Sequence, residues 1–156
     1  MSQVKFYEAQ IRDVQFGETV KIVRPCNIYE CSIESHSFVG PFCEIQKMVQ
    51  IGERCKIQSH TFTCELVTIG NDCFIGYGVM FINDLFADGG LAGGDKSKWK
   101  SISIGNNVSI GSNATILPVE IRDNLVIGAG ELVTKNLTQT SVYTGNPEWV
   151  LKMIIK

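Results

Sequence analysis

Residues 51–81, IGERCKIQSHTFTCELVTIGNDCFIGYGVMF, repeat one pattern every six residues. A large side chain, nearly always aliphatic, recurs at this spacing, and a smaller one precedes it by two positions. The first column reads Ile51, Ile57, Thr63, Ile69, Ile75 and Phe81, and the second reads Val49, Cys55, Thr61, Val67, Cys73 and Val79. A period of six excludes an α-helix of 3.6 residues per turn and an antiparallel sheet with irregularly spaced turns.

The repeat predicts an all-β fold, a parallel β-helix. Hexapeptide repeats are typical of this solenoid, in which stacked coils bury an apolar column that no single repeat buries alone. Three hexapeptides then form one triangular coil of eighteen residues. Two shorter steps, from Ile28 to Ile33 and from Ile116 to Ile121, predict corners that lack one residue. Glycine often follows the large aliphatic residue, as in Ile51-Gly52, and we expect it to adopt positive φ and to let neighbouring backbones approach closely.

The repeats indicate a single domain over residues 1–156 with one interruption. About four coils occupy residues 5–82, a glycine-rich excursion loop follows at 83–101, and about two more coils come after it. Long irregular loops in compact domains are usually functional, so we expect this loop to lie over a site. The last segment, 145–156, predicts a C-terminal cap with a short helix beginning at Pro147 and with Trp149 and Leu151 as its core anchors.

Composition narrows the possible partners and compartment. A formal net charge of -2 and a pI near 5.7, without a basic run, argue against a nucleic-acid partner. No apolar stretch is long enough to span a membrane and no secretory signal opens the chain, so we expect a cytoplasmic protein. The six cysteines form no C-x-x-C pair and fall largely on the small inward positions. We interpret them as reduced core residues and not as disulfides or nucleophiles.

Register predicts where the polar residues lie around the prism. His36, His60 and Asp84 are spaced by twenty-four residues, one coil plus one face, and therefore fall near three different edges. Phe42 lies one coil below His60 in the same column, and Gly78 lies one coil above it. A single chain does not easily bring His60 and Asp84 together. A trimer with its axis along the prism would place one edge of a subunit beside a different edge of its neighbour.

Further motifs carry a resemblance to a known family. The hexapeptides, the excursion that begins Phe-Ile-Asn83-Asp84, and the closing Val-Ile-Gly-Ala-Gly and Gly145-Asn146-Pro147 together resemble the left-handed β-helix acyltransferase superfamily. The handedness comes from this resemblance and not from the period. The runs 40–46 and 57–62 are similar to sugar-nucleotide N-acetyltransferases. The resemblance implies a homotrimer, acetyl-CoA as co-substrate without a metal, and active sites in the clefts between subunits.

The resemblance and the chemistry together suggest site residues. The amine of the acceptor must be unprotonated to attack the thioester, and His60 is a candidate for taking its proton. Asn83 and Asp84 are candidates for orienting the amine; in some relatives the departing CoA thiolate takes the proton instead. Candidates for binding the nucleotide sugar are Phe42, Glu44, Gln46 and Phe62. Candidates for binding acetyl-CoA are Lys100, Gly128, Ala129, Lys135, Gly145 and Pro147.

The predicted function is acetyl transfer to the 3-amino group of a dTDP- or UDP-linked aminodeoxysugar for surface-polysaccharide biosynthesis. Two alternatives stay open: O-acetylation of a simple sugar or another small-molecule hydroxyl, and a non-catalytic β-helix binding protein. A γ-type carbonic anhydrase shares the fold, but its zinc requires three histidines and the chain contains only His36 and His60.

Overall fold

The computed structural model describes residues 4–147 and 149–153. The chain winds as a left-handed parallel β-helix with three sheets, one on each face of a triangular prism. From β1 (Ile11–Arg12) to β20 (Ser141–Thr144), each strand within a sheet pairs in parallel with the strands of the coils above and below it, where these are present. Neighbouring coils therefore satisfy one another's backbone hydrogen bonds, as the hexapeptide repeat predicts.

We call the three faces sheets A, B and C in the order in which the chain meets them. Sheet A contains β1 (Ile11–Arg12), β4 (Asn27–Tyr29), β7 (Glu44–Ile45), β10 (Phe62–Thr63), β13 (Met80–Phe81), β16 (Thr115–Ile116) and β19 (Leu132–Val133). Sheet B contains β2 (Gln15–Phe16), β5 (Ser32–Ile33), β8 (Gln50–Ile51), β11 (Val67–Ile69), β14 (Ile102–Ile104) and β17 (Glu120–Ile121). Sheet C contains β3 (Lys21–Ile22), β6 (Phe38–Val39), β9 (Lys56–Ile57), β12 (Phe74–Ile75), β15 (Ser109–Ile110), β18 (Val126–Ile127), β20 (Ser141–Thr144) and β21 (Trp149–Met153).

The two predicted columns form the core of the prism. Members of the large column, such as Ile57, Ile75 and Phe81, are fully buried, and so are members of the small column, such as Val49 and Val79. All six cysteines are buried and free, which confirms their interpretation as core residues. The shorter corners after Ile28 and Ile116 are also present, because β5 ends at Ile33 and β17 ends at Ile121.

The glycines after the aliphatic residues act differently from the expectation. They do not have positive φ; instead, a Cβ at Gly40 would lie 2.7 Å from the Ser59 nitrogen of the next coil. Close backbone approach alone therefore requires glycine at this position. Positive φ falls two residues later, at the corner itself, where Asp72 and Asn107 stand. Aspartate and asparagine tolerate this left-handed conformation better than most residues.

The excursion interrupts the coils without disturbing their register. It leaves β13 at Phe81, contains a short 3-10 helix (Lys96–Lys98), and returns at β14. Val67 of β11 pairs with Ile102 of β14 and Ile69 pairs with Ile104, so sheet B continues across the insertion. The loop is therefore an addition at one corner of an otherwise regular prism.

The C-terminal cap is a strand, and the predicted helix is wrong for the described residues. β21 pairs antiparallel with β20, with Thr144 opposite Trp149. This pairing covers the outer edge of β20, which would otherwise leave its backbone groups unpaired. Trp149 and Leu151 are 70% and 67% exposed and do not anchor a core. Glu148 and residues 154–156 of the predicted cap lie outside the described residues.

The described part of the chain contains no helix that is long and apolar enough to cross a membrane.

Candidate active site

The corners of the prism carry the candidate site residues. We name each corner by the two sheets it joins: the AB corner follows sheet A, the BC corner follows sheet B, and the CA corner follows sheet C. His36 lies at a BC corner, His60 at a CA corner, and Asp84 beyond β13 at the AB corner. The predicted placement on three different edges is confirmed, and one chain does not bring these residues together.

An aromatic stack occupies the CA corner. The rings of Phe42 and His60 are 5.0 Å apart between centroids and are tilted by 17°. Both residues have positive φ, 61° and 63°, because each stands at the corner position of its coil. Phe42 is 56% exposed and His60 is also exposed, so the stack faces solvent and is accessible to a ligand. Gly78 continues the column above, and its amide donates a hydrogen bond to the Ser59 carbonyl.

The other candidate acceptor residues lie on the adjacent outer face of sheet A. Phe62 stands beside Glu44 in the register of β10 and β7. Gln46 donates a hydrogen bond from its Nε2 to the Glu44 carboxylate at 2.8 Å. The structure therefore groups Phe42, Glu44, Gln46 and Phe62 with His60 on one edge and one face. Sequence spacing alone predicted only the stacking of Phe42 below His60.

Asn83 and Asp84 lie at the opposite edge of sheet A, where the excursion begins. Asn83 is only 8% exposed and donates from its side chain to the Glu65 carbonyl one coil below, at 3.0 Å. Asp84 accepts hydrogen bonds from the backbone amides of Phe86 and Ala92, both at 2.9 Å. These bonds, first that from Phe86, lower the pKa of Asp84 below its ordinary value of 3.8. Asp84 is therefore a stable anion at neutral pH and a poor proton acceptor.

A second set of contacts, which the repeat pattern did not predict, fastens the loop to the prism. Lys96 donates to both carboxylate oxygens of Glu65, at 2.8 and 2.7 Å. The same ammonium lies 5.2 Å from the centre of the Trp99 ring, a cation–π contact. The one available signal was position, because Glu65 precedes Asn83 by eighteen residues. The loop is consequently held at its start and near its end.

The candidate acetyl-CoA residues divide between two corners. Lys100 donates its backbone amide to the Asn83 carbonyl and lines a surface groove of about 460 Å³ with Trp99 and Asn136. Lys135, next to Asn136, is exposed near the same AB corner. Gly128 and Ala129 lie instead at the CA corner after β18, and Gly145 and Pro147 follow β20 at the end of sheet C. The chain does not bring these two sets together.

A buried carboxylate lies beneath the glycine-rich CA corner. Glu131 is 6% exposed and accepts a hydrogen bond from the Thr144 hydroxyl at 2.7 Å, whereas its other carboxylate oxygen has no partner. A Cβ on Gly128 would lie 2.8 Å from the Glu131 carboxylate, so any larger residue there would require this side chain to move. Within residues 4–147 and 149–153, no group of three or more His, Cys, Asp or Glu side chains is arranged to hold a metal ion.

Comparisons with known proteins agree with this architecture. Residues 101–135 match the family model for the hexapeptide repeat of succinyl-transferase. The chain is 34% identical over 160 residues to the bifunctional protein GlmU of Streptococcus uberis, an alignment that covers 91% of this chain and 32% of that protein. The chain therefore spans about a third of the length of this curated relative.

Two solved structures show the same fold. The hexapeptide transferase family protein from Anaplasma phagocytophilum superposes with a TM-score of 0.73 at 18% identity, covering 92% of this chain and 80% of that one. A mutant of AntD, an N-acyltransferase from Bacillus cereus solved with dTDP and coenzyme A, superposes with a TM-score of 0.62 at 19% identity, covering 92% and 83%. The chain is a hexapeptide-repeat left-handed β-helix protein, and it is similar to the acyltransferases built on this fold.

Proposed function

We propose that the chain is an acetyl-CoA-dependent N-acetyltransferase that acts on the 3-amino group of a dTDP- or UDP-linked aminodeoxysugar in the cytoplasm. The observation that carries this proposal is the exposed Phe42–His60 stack beside Glu44 and Phe62. An aromatic surface next to an imidazole and a carboxylate suits a ring-shaped acceptor with an amine. AntD, with its bound dTDP and coenzyme A, supports this substrate class through the shared fold.

The chemistry requires one proton acceptor and groups that hold the acceptor amine. The amine nitrogen attacks the thioester carbonyl carbon, the carbon–sulfur bond breaks, and the sulfur electrons leave with CoA. The amine must also lose a proton, and we assign its removal to His60, whose imidazole is exposed at the CA corner and can accept a proton. Asp84 does not serve as this base because its pKa is lowered. We assign it, with Asn83, to positioning the amine.

We further propose that the functional unit is a homotrimer in which sheet A of each chain faces the threefold axis. The upper half of the outer face of sheet A carries three apolar residues and one threonine, in the order Phe62, Met80, Thr115 and Leu132. Sheet B presents polar residues such as Gln50 and Glu120. With sheet A inward, the CA corner of one chain adjoins the AB corner of the next. His60 of one subunit then lies beside Asn83 and Asp84 of its neighbour.

Subunit mixing tests this arrangement. Co-expressed His60→Phe and Asp84→Asn chains form mixed trimers, and about a quarter of the interfaces in a random mixture combine an intact His60 with an intact Asp84. We expect the mixture to recover activity toward that fraction, although each variant alone is nearly inactive. If both residues act within one chain, the mixture is as inactive as its parts.

The reaction is tested by measuring thiol release from acetyl-CoA with purified protein. The acceptors are dTDP- and UDP-linked 3-amino-3,6-dideoxyhexoses, with the corresponding 3-hydroxy sugars, serine and galactosides as controls. Release with one amino sugar, and not with its hydroxyl counterpart, supports N-acetylation. Release only with a hydroxyl acceptor establishes the O-acetyltransferase alternative. Absence of acetyl-CoA binding by calorimetry favours the non-catalytic alternative.

A further inference from the structure

A basic groove crosses the outer face of sheet C, below the candidate active site. It has a volume of about 630 Å³ and is lined by Thr19, Lys21, His36, Ser37, Phe38, Lys56 and Gln58. Lys21, Phe38 and Lys56 stand one above the other in the register of β3, β6 and β9. The groove therefore places an aromatic ring between two ammonium groups on three successive coils.

The two lysines differ from four basic residues elsewhere on the prism that form ion pairs, one of which is Lys98 with Asp88. Lys47 pairs with Glu30, Arg54 pairs with Asp72, and Lys96 pairs with Glu65. Among the described residues, neither Lys21 nor Lys56 has a carboxylate within ion-pair distance, and no acidic side chain lines the groove. The lysines are two strand spacings apart, about 10 Å, and their long side chains can converge above Phe38. An anion with more than one negative charge would neutralise both.

The rim of the groove adds polar groups suited to a larger ligand. The Nδ1 atom of His36 is paired with the Thr19 hydroxyl, which fixes the orientation of the imidazole at the BC corner. Gln58 lies at the other side, toward the CA corner. The half-buried ring of Phe38 forms the floor. Two cations above an aromatic floor, with amide and imidazole groups at the rim, fit a nucleoside diphosphate better than an isolated phosphate.

The groove lies close to the proposed acceptor site. Lys56 precedes His60 by four residues along the same strand and corner, a path of at most about 13 Å. A sugar whose amine lies beside His60 would thus direct its diphosphate back along β9 toward Lys56. All residues of the groove belong to coils before the excursion, whereas the candidate acetyl-CoA residues lie at the end of the excursion, as Lys100 does, or after it.

We propose that Lys21, Lys56 and Phe38 bind the nucleoside diphosphate part of the acceptor, an inference that rests on the proposed function. The test measures dissociation constants of dTDP and UDP by calorimetry for the wild type, Lys21→Met and Lys56→Met. Methionine retains an apolar stem over Phe38 and removes the charge. The matched control is Lys5→Met, which makes the same charge change on an exposed lysine outside the groove. Coenzyme A, which also contains a diphosphate, is titrated in parallel.

We expect each groove variant to bind the preferred nucleotide at least ~10-fold more weakly, and Lys5→Met and Lys56→Arg to bind it nearly as the wild type does. Coenzyme A affinity should not change. Unchanged dTDP and UDP affinities overturn the inference, and so does a selective loss of coenzyme A binding. If the lysine variants lose nucleotide binding while no amino sugar is acetylated, the groove stands and the proposed function fails. If acetylation proceeds with the wild-type KM in both variants, the function stands and the groove fails.

Discussion

The role of His60 is separable from the role of its aromatic stack by two single substitutions. His60→Phe keeps a ring over Phe42 and removes the proton acceptor. Phe42→Leu removes the floor of the stack and keeps the imidazole. Both replacements suit the local backbone, because Phe42 already has φ 61° at the equivalent corner position and Leu66 has φ 69° at another. The variants should therefore fold without new strain at the corner.

The two effects differ in size. An offset aromatic pair contributes about 0.5–1.5 kcal/mol beyond its buried area, and the exposed position of this stack, with rings 5.0 Å apart, favours the lower end. Loss of the floor should thus weaken the binding of an acceptor ring by less than about tenfold, mainly as a higher KM. Loss of a general base should lower kcat by ~10²–10⁴-fold.

Steady-state thiol release, with the acceptor that the wild type prefers, distinguishes the two effects. We expect His60→Phe to lose kcat by at least ~10²-fold and Phe42→Leu to retain kcat with a raised KM. If His60→Phe keeps kcat within about threefold of the wild type, His60 is not the base, and the departing CoA thiolate is the remaining proton acceptor.

Three further predictions concern the loop, the coils and the thiols. Asp84→Asn replaces one acceptor oxygen with a donor that faces a backbone amide. Turnover should therefore fall at least ~10²-fold, while acetyl-CoA affinity, measured by calorimetry, stays nearly intact. Unchanged turnover would remove Asp84 from the site. Because the pKa of Asp84 is lowered from 3.8, its ionised side chain contributes fully to loop order above that pH, and the contribution is lost only as the pH falls below it. Proteolysis of the loop should therefore be unchanged between about pH 5 and 8 and should increase only in stronger acid. Gly76→Ala places a Cβ 2.6 Å from the Ser112 nitrogen of the next coil and should lower Tm by about 5 °C. The control Gly90→Ala, whose Cβ would have no atom within 4 Å, should leave the melting curve unchanged. Equal Tm values for the two variants would contradict the close-approach explanation. Burial raises the pKa of Cys43 to about 11 and of Cys64 to about 12. The native protein should therefore not react with a thiol reagent at pH 8, and denaturation should expose all six thiols. Rapid labelling of the native protein would show that the core opens.

The sequence predicted those parts of the fold that the period controls. A side chain that recurs every six residues takes the same inward position on each successive face of the coil. The core column of Ile57 and Ile75 and the two short corners therefore follow directly. The cap could not be derived in this way. Pro147 is typical of a helix start, but the open edge of β20 offers backbone groups to the next segment, and β21 pairs with them. A tertiary contact thus overrode a local preference.

The candidate site was likewise predictable from the sequence only in part. The stacking of Phe42 and His60 followed from their separation of eighteen residues, since one coil places equivalent positions directly above one another. The contacts of Asp84 and Glu65 did not follow, because the excursion has no period and its path depends on particular hydrogen bonds and ion pairs. The period of the interior columns predicts only which residues stack between neighbouring coils, whereas the loop contacts are long-range and specific to this chain.

The structure gives a physical reason why the excursion and the candidate residues lie at corners. Stability resides in the buried columns and in the strand pairing, and sheet B preserves both across the insertion, because Ile69 pairs with Ile104 as if the loop were absent. A corner can therefore accept a long loop, or a phenylalanine or histidine with positive φ, at a cost confined to its own coil. The two edges of sheet A carry the Phe42–His60 stack and the loop that begins at Asn83, and they are free to vary while the prism between them stays rigid. In the proposed trimer, a site assembled from two such edges uses a second subunit, so specificity can change at the corners of one chain without any change in the core that holds them.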